Sequence, residues 1–493
     1  RNKYREGWRK VAYEGIRRMM SAVKGGFAAS VGVILFTLPV QLWFFYEIPV
    51  YSVLLNLLVL PFMSAVVAGG ILSLIPGLGI VGTVDCLILW WYEWICERFG
   101  ELPGAVWCVG QPEIWQIACY YAGIFLLVFG RRYVEAWKRR GTYGEENVPG
   151  VIIHSNRFQH QIATVMILGL LIGLLTGNFD RGSRVTFLDV GQGDGIVVET
   201  GQGAYLFDCG STSRKNIGEY VLKPYLKSRG ICSLRGVFVS HPDEDHMNGV
   251  LELLENGEEW GITAEQLFLP AIRESERRET FEQLLAAAED AGIPVSYIKC
   301  GDEIRDSQLR LLCLHPEENT TLADANAYSE CFYVEVFAKK MKQEAIDDRK
   351  ANDASGGSAI GKISILLTGD VEGEGERQLT QRLQALQESR SLQESQSLQE
   401  SRSLQESQSL QTTRRLQEQR GQREFRVDIL KVAHHGSGYS TGTEFLATAS
   451  PAIAIISCGR NNSYGHPHAE TLQRLEDARV PWYGTMDYGA LTV

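Results

Sequence analysis

An apolar run of about 17 to 25 residues is long enough to cross the hydrocarbon core of a bilayer. The first 179 residues of this chain hold five in succession, near 27–46, 50–75, 79–95, 113–130 and 161–179. Burying five such runs as ordinary core helices would need an unusually large apolar interior. They therefore predict an α-helical membrane bundle over residues 1–179, followed by a soluble domain over 180–493. The second run contains Pro61 and Gly69-Gly70 and is expected to kink or break. Trp43, Trp90, Trp91, Trp94, Trp107 and Trp115 fall mostly near run ends, where amphipathic rings favour the headgroup layer.

Basic residues set the expected orientation. Eight Lys/Arg lie in Arg1–Lys24 and five in Arg131–Arg140, while the connectors between carry essentially Arg98 alone, so both basic segments are expected to be cytoplasmic. The four runs between them agree with that, and the fifth then places residues 180–493 outside the cytoplasm. This parity depends on the second run crossing fully. No Met stands at position 1, and Ala490–Val493 reads as the middle of a strand, so both ends are expected to be trimmed.

Of 48 Lys+Arg and 59 Asp+Glu, residues 1–179 take 15 and 11, which leaves 33 and 48, a net of −15, on the soluble part. Such a surface does not draw polyanions over long range, so a free-standing nonspecific nuclease is disfavoured. A nucleic-acid substrate would have to be delivered by a partner or gripped by metal ions. The ten cysteines show no zinc-finger spacing and read as buried thiols, with one disulfide open if the soluble half faces an oxidising compartment.

In residues 180–493, β-branched and aromatic runs (Val185–Leu188, Ile196–Glu199, Ala204–Phe207, Val237–Val239, Cys331–Phe337, Ile363–Leu367, Ile453–Ile456) interleave with helical stretches at Ile217–Ser228, Glu274–Ala291 and Thr443–Ala449. The alternation predicts a layered α/β domain. Met341–Ser358 reads as a long polar loop, and residues 376–424 as a low-complexity insertion built on SLQES repeats. Leu386, Leu392, Leu398, Leu404 and Leu410 recur every six residues. That period turns a helix by about 240°, so the leucines form no seam and a solvated excursion is expected.

The densest chemistry is Ser240-His241-Pro242-Asp243-Glu244-Asp245-His246, directly after the apolar strand Gly236–Val239. Two imidazoles and two aspartates leaving one strand end suit a pair of divalent cations with mixed N and O ligands. Leu367-Thr368-Gly369-Asp370 and Val432-Ala433-His434-His435-Gly436-Ser437 place further ligand types just past two other strands. One convergent site is the economical reading, since α/β sheets assemble sites at strand ends.

These segments resemble the metallo-β-lactamase superfamily, in the branch found in the ComEC family of bacterial DNA-uptake channel proteins. Its HxHxDH signature appears as His241, Asp243, Asp245 and His246, with Asp243 where most members have a second His. Further likeness lies in Leu188-Asp189-Val190-Gly191-Gln192-Gly193-Asp194, Leu206-Phe207-Asp208-Cys209-Gly210 and Gly459-Arg460-Asn461-Asn462-Ser463-Tyr464-Gly465-His466-Pro467. In the apolar half, Gln41-Leu42 and Val50–Pro61 resemble the end of the competence domain. The resemblance implies an αββα sandwich after the helical bundle.

It also implies roles. Asp245, His246 and His435, with His434 beside it, resemble ligands of one metal, Asp370 the bridging ligand, and His241 with Asp243 the holders of a second. The usual third His of that second metal has no clear counterpart, although His315 stands at about the right place in order. The two ions would be Mn²⁺ or Zn²⁺, and the oxygen-rich set around the ion held by His241 and Asp243 favours Mn²⁺ there, loosely bound. Asp370 and Asp245 would hold or deprotonate the attacking water, and His466 would donate a proton. Asp208 would orient a ligand. Asp189, Gln192 and Asp194 would shape the turn beside the metals, and Asn462 and Tyr464 would line the cleft. The implied setting is natural transformation: one DNA strand passes through the cell membrane and the other is degraded outside by phosphodiester hydrolysis. Membrane lipid, a DNA receptor and a cytoplasmic translocation ATPase would be partners. Two alternatives stand beside it, a membrane-tethered hydrolase for a lipid or small ester, and a channel protein whose lactamase-like domain is inactive.

Overall fold

The structure, a computed structural model, describes residues 2–130, 157–177, 182–273, 279–318, 325–338, 361–405 and 427–493. It divides into two compact units, one of Arg1–Phe179 with Lys227–Gly230 and one of Asp180–Leu226 with Ile231–Val493.

The first unit is helical: α1 (Asn2–Phe45), α2 (Ser52–Ser73), α3 (Gly79–Gly100), α4 (Ile114–Phe125), continued by a π turn Leu126–Gly130, and α5 (Arg157–Thr176). Two short strands, β1 (Glu47–Pro49) and β2 (Val106–Cys108), pair antiparallel. Among the described residues, three helical stretches are long and apolar enough to cross a membrane, Lys24–Phe45, Ser52–Ser73 and Gly79–Gly100. The apolar parts of the other two helices, Ile114–Gly130 and Gln161–Thr176, are shorter, so three of the five expected spans meet the length on their own. The expected break in the second does not occur, and α2 runs through Pro61. Helices α2 and α3 pack as an antiparallel hairpin: the Tyr92 hydroxyl donates to the Val59 carbonyl at 2.9 Å, and Phe62 meets Trp91 edge-on at 5.9 Å. Asp85, buried in α3, presses its carboxylate on Gly69 of α2, a position with no room for a side chain. Phe36, Leu74, Ile80 and Leu87 stay exposed, as lipid-facing side chains would. The basic stretch Arg131–Arg140 and the polar stretch Met341–Ser358 lie outside the described residues.

The second unit is a sandwich of two sheets. Its elements are β3 (Arg184–Phe187), β4 (Gly195–Thr200), β5 (Gly203–Cys209), α6 (Lys223–Ser228), β6 (Ser233–Phe238), α7 (Glu244–Trp260), β7 (Thr263–Ala264), β8 (Leu267–Pro270), α8 (Glu279–Asp290) and β9 (Val295–Ile298). There follow β10 (Glu303–Arg305), β11 (Leu309–His315), β12 (Cys331–Ala338), β13 (Gly361–Leu367), α9 (Gly373–Gln405), β14 (Ile429–Lys431), α10 (Thr443–Ala449), β15 (Ile453–Ile456), α11 (Ala469–Asp477), β16 (Trp482–Gly484), α12 (Thr485–Tyr488) and β17 (Leu491–Thr492). One sheet has the order β17-β3-β4-β5-β6-β8-β9, with β7 beside β6, and the other β10-β11-β12-β13-β14-β15-β16.

Both sheets are half antiparallel and half parallel, the change coming at β5 in the first and β13 in the second. Parallel strands buried on both faces must be apolar throughout, and Ile429-Leu430, Ala454–Ile456 and Val237-Phe238 read that way. The sheets meet through Phe207, Phe238 and Phe268, stacked at 4.6 Å, with Phe332 of the facing sheet edge-on to Phe207 and Phe238. Outside one sheet, α7 and α8 bury Met247, Val250, Leu253, Leu254, Phe281 and Leu284, and outside the other, α9, α10 and α11 bury Leu379, Leu383, Phe445, Leu446 and Leu475. The architecture is therefore αββα.

Two local readings need correction. Residues 217–228 are not one helix but a π turn, Gly218–Leu222, leading into α6. Helix α9 begins three residues before the low-complexity stretch, and its Leu379 and Leu383 are fully buried with Leu386 packed beside them. The start of that stretch is thus core helix rather than solvated excursion.

Candidate metal centre

Apart from Asp194, which lies in the β3–β4 loop, the ligand-type side chains reach the site from the carboxyl ends of parallel strands. The ends are Asp208 in β5, His241 past β6, Asp370 past β13, His434 and His435 past β14, and His466 past β15. After β6 the chain turns through Ser240–Asp243 into α7. The 3.6-residue period then puts His246 on the core-facing side with Val250, Leu253 and Leu254. His246 is fully buried.

His246 Nδ1 lies 3.0 Å from Asp208 Oδ2, and its Nε2 lies 3.2 Å from Asp370 Oδ1. His435 Nδ1 donates to the Ser457 carbonyl at 2.8 Å, which directs Nε2 to Asp370 Oδ2 at 3.2 Å and Asp245 Oδ2 at 3.4 Å. Neither Nε2 makes a well-directed hydrogen bond, each meeting only ligand-type carboxylates, and Asp194 Oδ1 also has no hydrogen-bond partner. Ligand atoms of Asp194, His246, Asp370 and His435 all lie within 4.8 Å of one another. Buried ligand atoms of mixed N and O type converging on one point fit a divalent cation.

His241 lies beside this cluster, its ring 4.1 Å from that of His246 and its Nε2 3.7 Å from Asp243 Oδ2. Ser240 and Ser329 hold its Nδ1 at 3.1 and 3.3 Å. His434 stands one step out, Nδ1 on Glu372 at 2.8 Å and Nε2 3.8 Å from Asp370. His315 is elsewhere in use, its Nε2 2.6 Å from the Ala327 carbonyl.

The supporting residues divide by task. Asp208 accepts from the Ser240 amide at 2.7 Å and hydroxyl at 2.8 Å as well as meeting His246, so it fixes that ring. Asp189 serves its own loop, accepting from Gly191 and holding Arg214 at 3.2 Å. Gln192 takes the Gly459 amide on Oε1 at 3.2 Å, which turns its Nε2 to His466 Nδ1 at 3.3 Å. Asn462 spends its amide on the Gly459 and His466 carbonyls. Tyr464 lies against His466, ring centroids 5.7 Å apart and nearly parallel.

Sequence reasoning did not single out Lys431. It is fully buried, donates to the Gly369 carbonyl at 2.7 Å, and pairs with Asp194 and, at 3.4 Å, Asp370. Its signal was a lone Lys at the end of the apolar strand β14, three residues before His434.

Charge accounts for the titration behaviour. Burial opposes the charged form of both His246 and His435, but Asp370 and Asp208 hold the first well above its ordinary range, and Asp370 and Asp194 push the second up to about 10. Burial, followed by the charge of His246, drives His241 down to about 3. Burial works against the Asp370 carboxylate, yet His246, His435 and Lys431 keep it well below the usual range. Burial together with His435 and His434 lowers His466 to about 4, so it is neutral at pH 7. Without metal, protons on two imidazoles and the Lys431 ammonium balance the carboxylates.

Comparison with known proteins bears on both units. A family model described as competence protein matches residues 3–133, and one described as the metallo-beta-lactamase superfamily matches residues 188–289. ComE operon protein 3 of Bacillus subtilis (strain 168) is 25% identical over 475 residues, covering 92% of this chain and 50% of that protein. Recombination protein 2 of Haemophilus influenzae is 24% identical over 474 residues, covering 91% and 47%. The chain thus spans about half the length of the curated relatives it matches. Among solved structures, the metallo-beta-lactamase fold protein YhfI from Bacillus subtilis is 11% identical, covers 61% of this chain and 95% of that one, and gives a TM-score of 0.31.

Proposed function

We propose that this chain, which joins a competence-protein segment to a metallo-β-lactamase superfamily domain, is a component of a DNA-uptake channel. In this reading residues 1–179 are the end of the membrane domain. Residues 180–493 lie on the extracytoplasmic side as a metal-dependent phosphodiesterase that degrades the strand not carried inward. The observation that carries the hydrolase reading is the pair of buried Nε2 atoms of His246 and His435 converging on one carboxylate, Asp370, at 3.2 Å each.

His246, His435, Asp370 and Asp245, with Asp194 beside them, would hold one divalent ion, and His241 with Asp243 a second, Mn²⁺ or Zn²⁺. Such ions polarise a phosphate oxygen and make bound water acidic. Asp370 and Asp245 orient the attacking water and accept its proton. Asp208 and Ser457 keep the two imidazoles in the tautomers that leave Nε2 bare. Gln192 donates to His466 Nδ1, so neutral His466 carries its proton on Nε2 and gives a hydrogen bond to the departing oxygen. Lys431 offsets the carboxylate charge beneath the ligands.

The test is degradation of linear DNA by the whole chain in detergent with Mn²⁺ or Zn²⁺, beside His246→Ala. Metal-dependent cutting that vanishes in the variant is expected. No cutting with metal demonstrably bound would move the assignment to a lipid or small-ester hydrolase, and failure to bind metal to an inactive domain.

A further inference from the structure

Tyr464 is 53% exposed, although its ring lies almost parallel to His466, at 21°. His466 in turn is 5.5 Å from the His434 ring and 6.2 Å from that of His435. The phenol is therefore the outermost of a run of rings leading from the ligand cluster to solvent. Its backbone is pinned: the amide donates to Asn462 Oδ1 at 3.1 Å, and the carbonyl lies 3.1 Å from His468 Nε2. A ring held in place has little freedom left to lose on binding. Tyr439, the most exposed large side chain on the neighbouring loop at 86%, follows Gly438, whose amide donates to His468 Nδ1 at 2.8 Å.

We propose that the open face of Tyr464 is a stacking platform for an unpaired nucleobase, so that the site takes nucleic acid as a single strand. The proposal rests on the phosphodiesterase reading above and specifies its substrate. Charge supports it: with 33 basic against 48 acidic residues over 180–493, phosphate attraction cannot supply most of the grip. Stacking is uncharged, tolerates any base, and needs a free π-face. A paired duplex buries those faces between neighbours and offers only edges in its grooves.

The experiment measures kcat and KM of the full chain in detergent with Mn²⁺ on three substrates. These are a thymidine oligonucleotide, the same length with stable abasic tetrahydrofuran units around the cut, and a duplex. Wild type, Tyr464→Ala and Tyr464→Phe are compared. Removing one aromatic platform weakens base binding by about 5- to 150-fold. Tyr464→Ala is expected to raise KM for the thymidine strand by that factor while shifting KM for the abasic strand less than about twofold, and Tyr464→Phe to restore it. Equal KM for thymidine and abasic strands in wild type would overturn the proposal. So would equal losses on both strands in Tyr464→Ala, because the ring would then only brace His466. If wild type with bound metal cuts no strand, the phosphodiesterase reading fails. Fluorescence anisotropy of the same oligonucleotides then still decides whether the ring binds bases.

Discussion

Lys431 sits where a cation is wanted and carries a fixed charge there. Replacing it by Met leaves Asp194 and Asp370 buried with one positive neighbour fewer, and breaking a buried pair from one side costs about 3–5 kcal/mol. Lys431→Met is expected to lose that much stability in urea denaturation of the metal-free protein and to regain much of it when Mn²⁺ is added. An unchanged midpoint without metal would show that the ammonium is not balancing these carboxylates. His435 makes a second prediction, with opposite signs for stability and binding. It titrates near 10 when folded and metal-free, against about 6.5 unfolded. Its contribution to stability is complete below pH 6.5 and fades as pH rises toward 10. Metal needs the bare Nε2, so affinity runs the other way and rises over the same interval, with proton release. Calorimetric Mn²⁺ titrations at pH 6.5 and 9 check this, and a flat affinity would count against the ligand assignment.

At the level of elements, the centre depends on three chain segments meeting without side chains between them. The Asp194 amide donates to the Asp245 carbonyl at 3.0 Å, and the Gly210 amide to the Asp194 carbonyl at 2.8 Å, so the β3–β4 loop, the end of β5 and the start of α7 are stitched together. A methyl group on Gly210 would strike the His246 amide and the Asp245 backbone, and one on Gly193 the Gly210 carbonyl. Gly210→Ala is expected to cost about 1–3 kcal/mol or more and to weaken metal binding at least tenfold, both read by denaturation with and without Mn²⁺. Wild-type affinity in that variant would sink the stitching argument. The same elements explain what was legible in the sequence. His241, His246, Asp370 and His435 stand just past apolar strands, so strand reading alone brought them to one edge. Asp194 read as a turn residue because its burial comes from Lys431 and from contacts across sheets, which no local pattern encodes. Lys431 was hidden by its strand, whose apolar neighbours suggested nothing polar. The core role of α9 is not legible because its buried Leu379 and Leu383 precede the six-residue leucine period and share no pattern with it.

On the scale of the whole molecule, the repeat and the helical half set separate expectations. Helix α9 anchors through Leu379, Leu383 and Leu386, and Gln387 Nε2 donates to the Thr448 carbonyl at 2.7 Å. Replacing residues 391–420 by a short Gly/Ser linker is therefore expected to leave stability within about 0.5 kcal/mol, whereas Leu379→Ala costs about 2–5 kcal/mol. Thermal unfolding of both variants compares them directly, and a destabilised linker variant would give the repeat a structural role. The sandwich begins with β3, the first strand after the apolar helices, and its last strand, β17, returns to that starting point. Thr492 and Leu491 pair with Thr186 and Phe187, and Val493 and Val185 exchange amide–carbonyl bonds at 2.9 Å in both directions. Strand β3 is thus gripped on both sides, by β4 and by β17. A pull along this strand loads both ladders in shear at once instead of opening them bond by bond. The strand that opens the sandwich is built as a mechanical clasp.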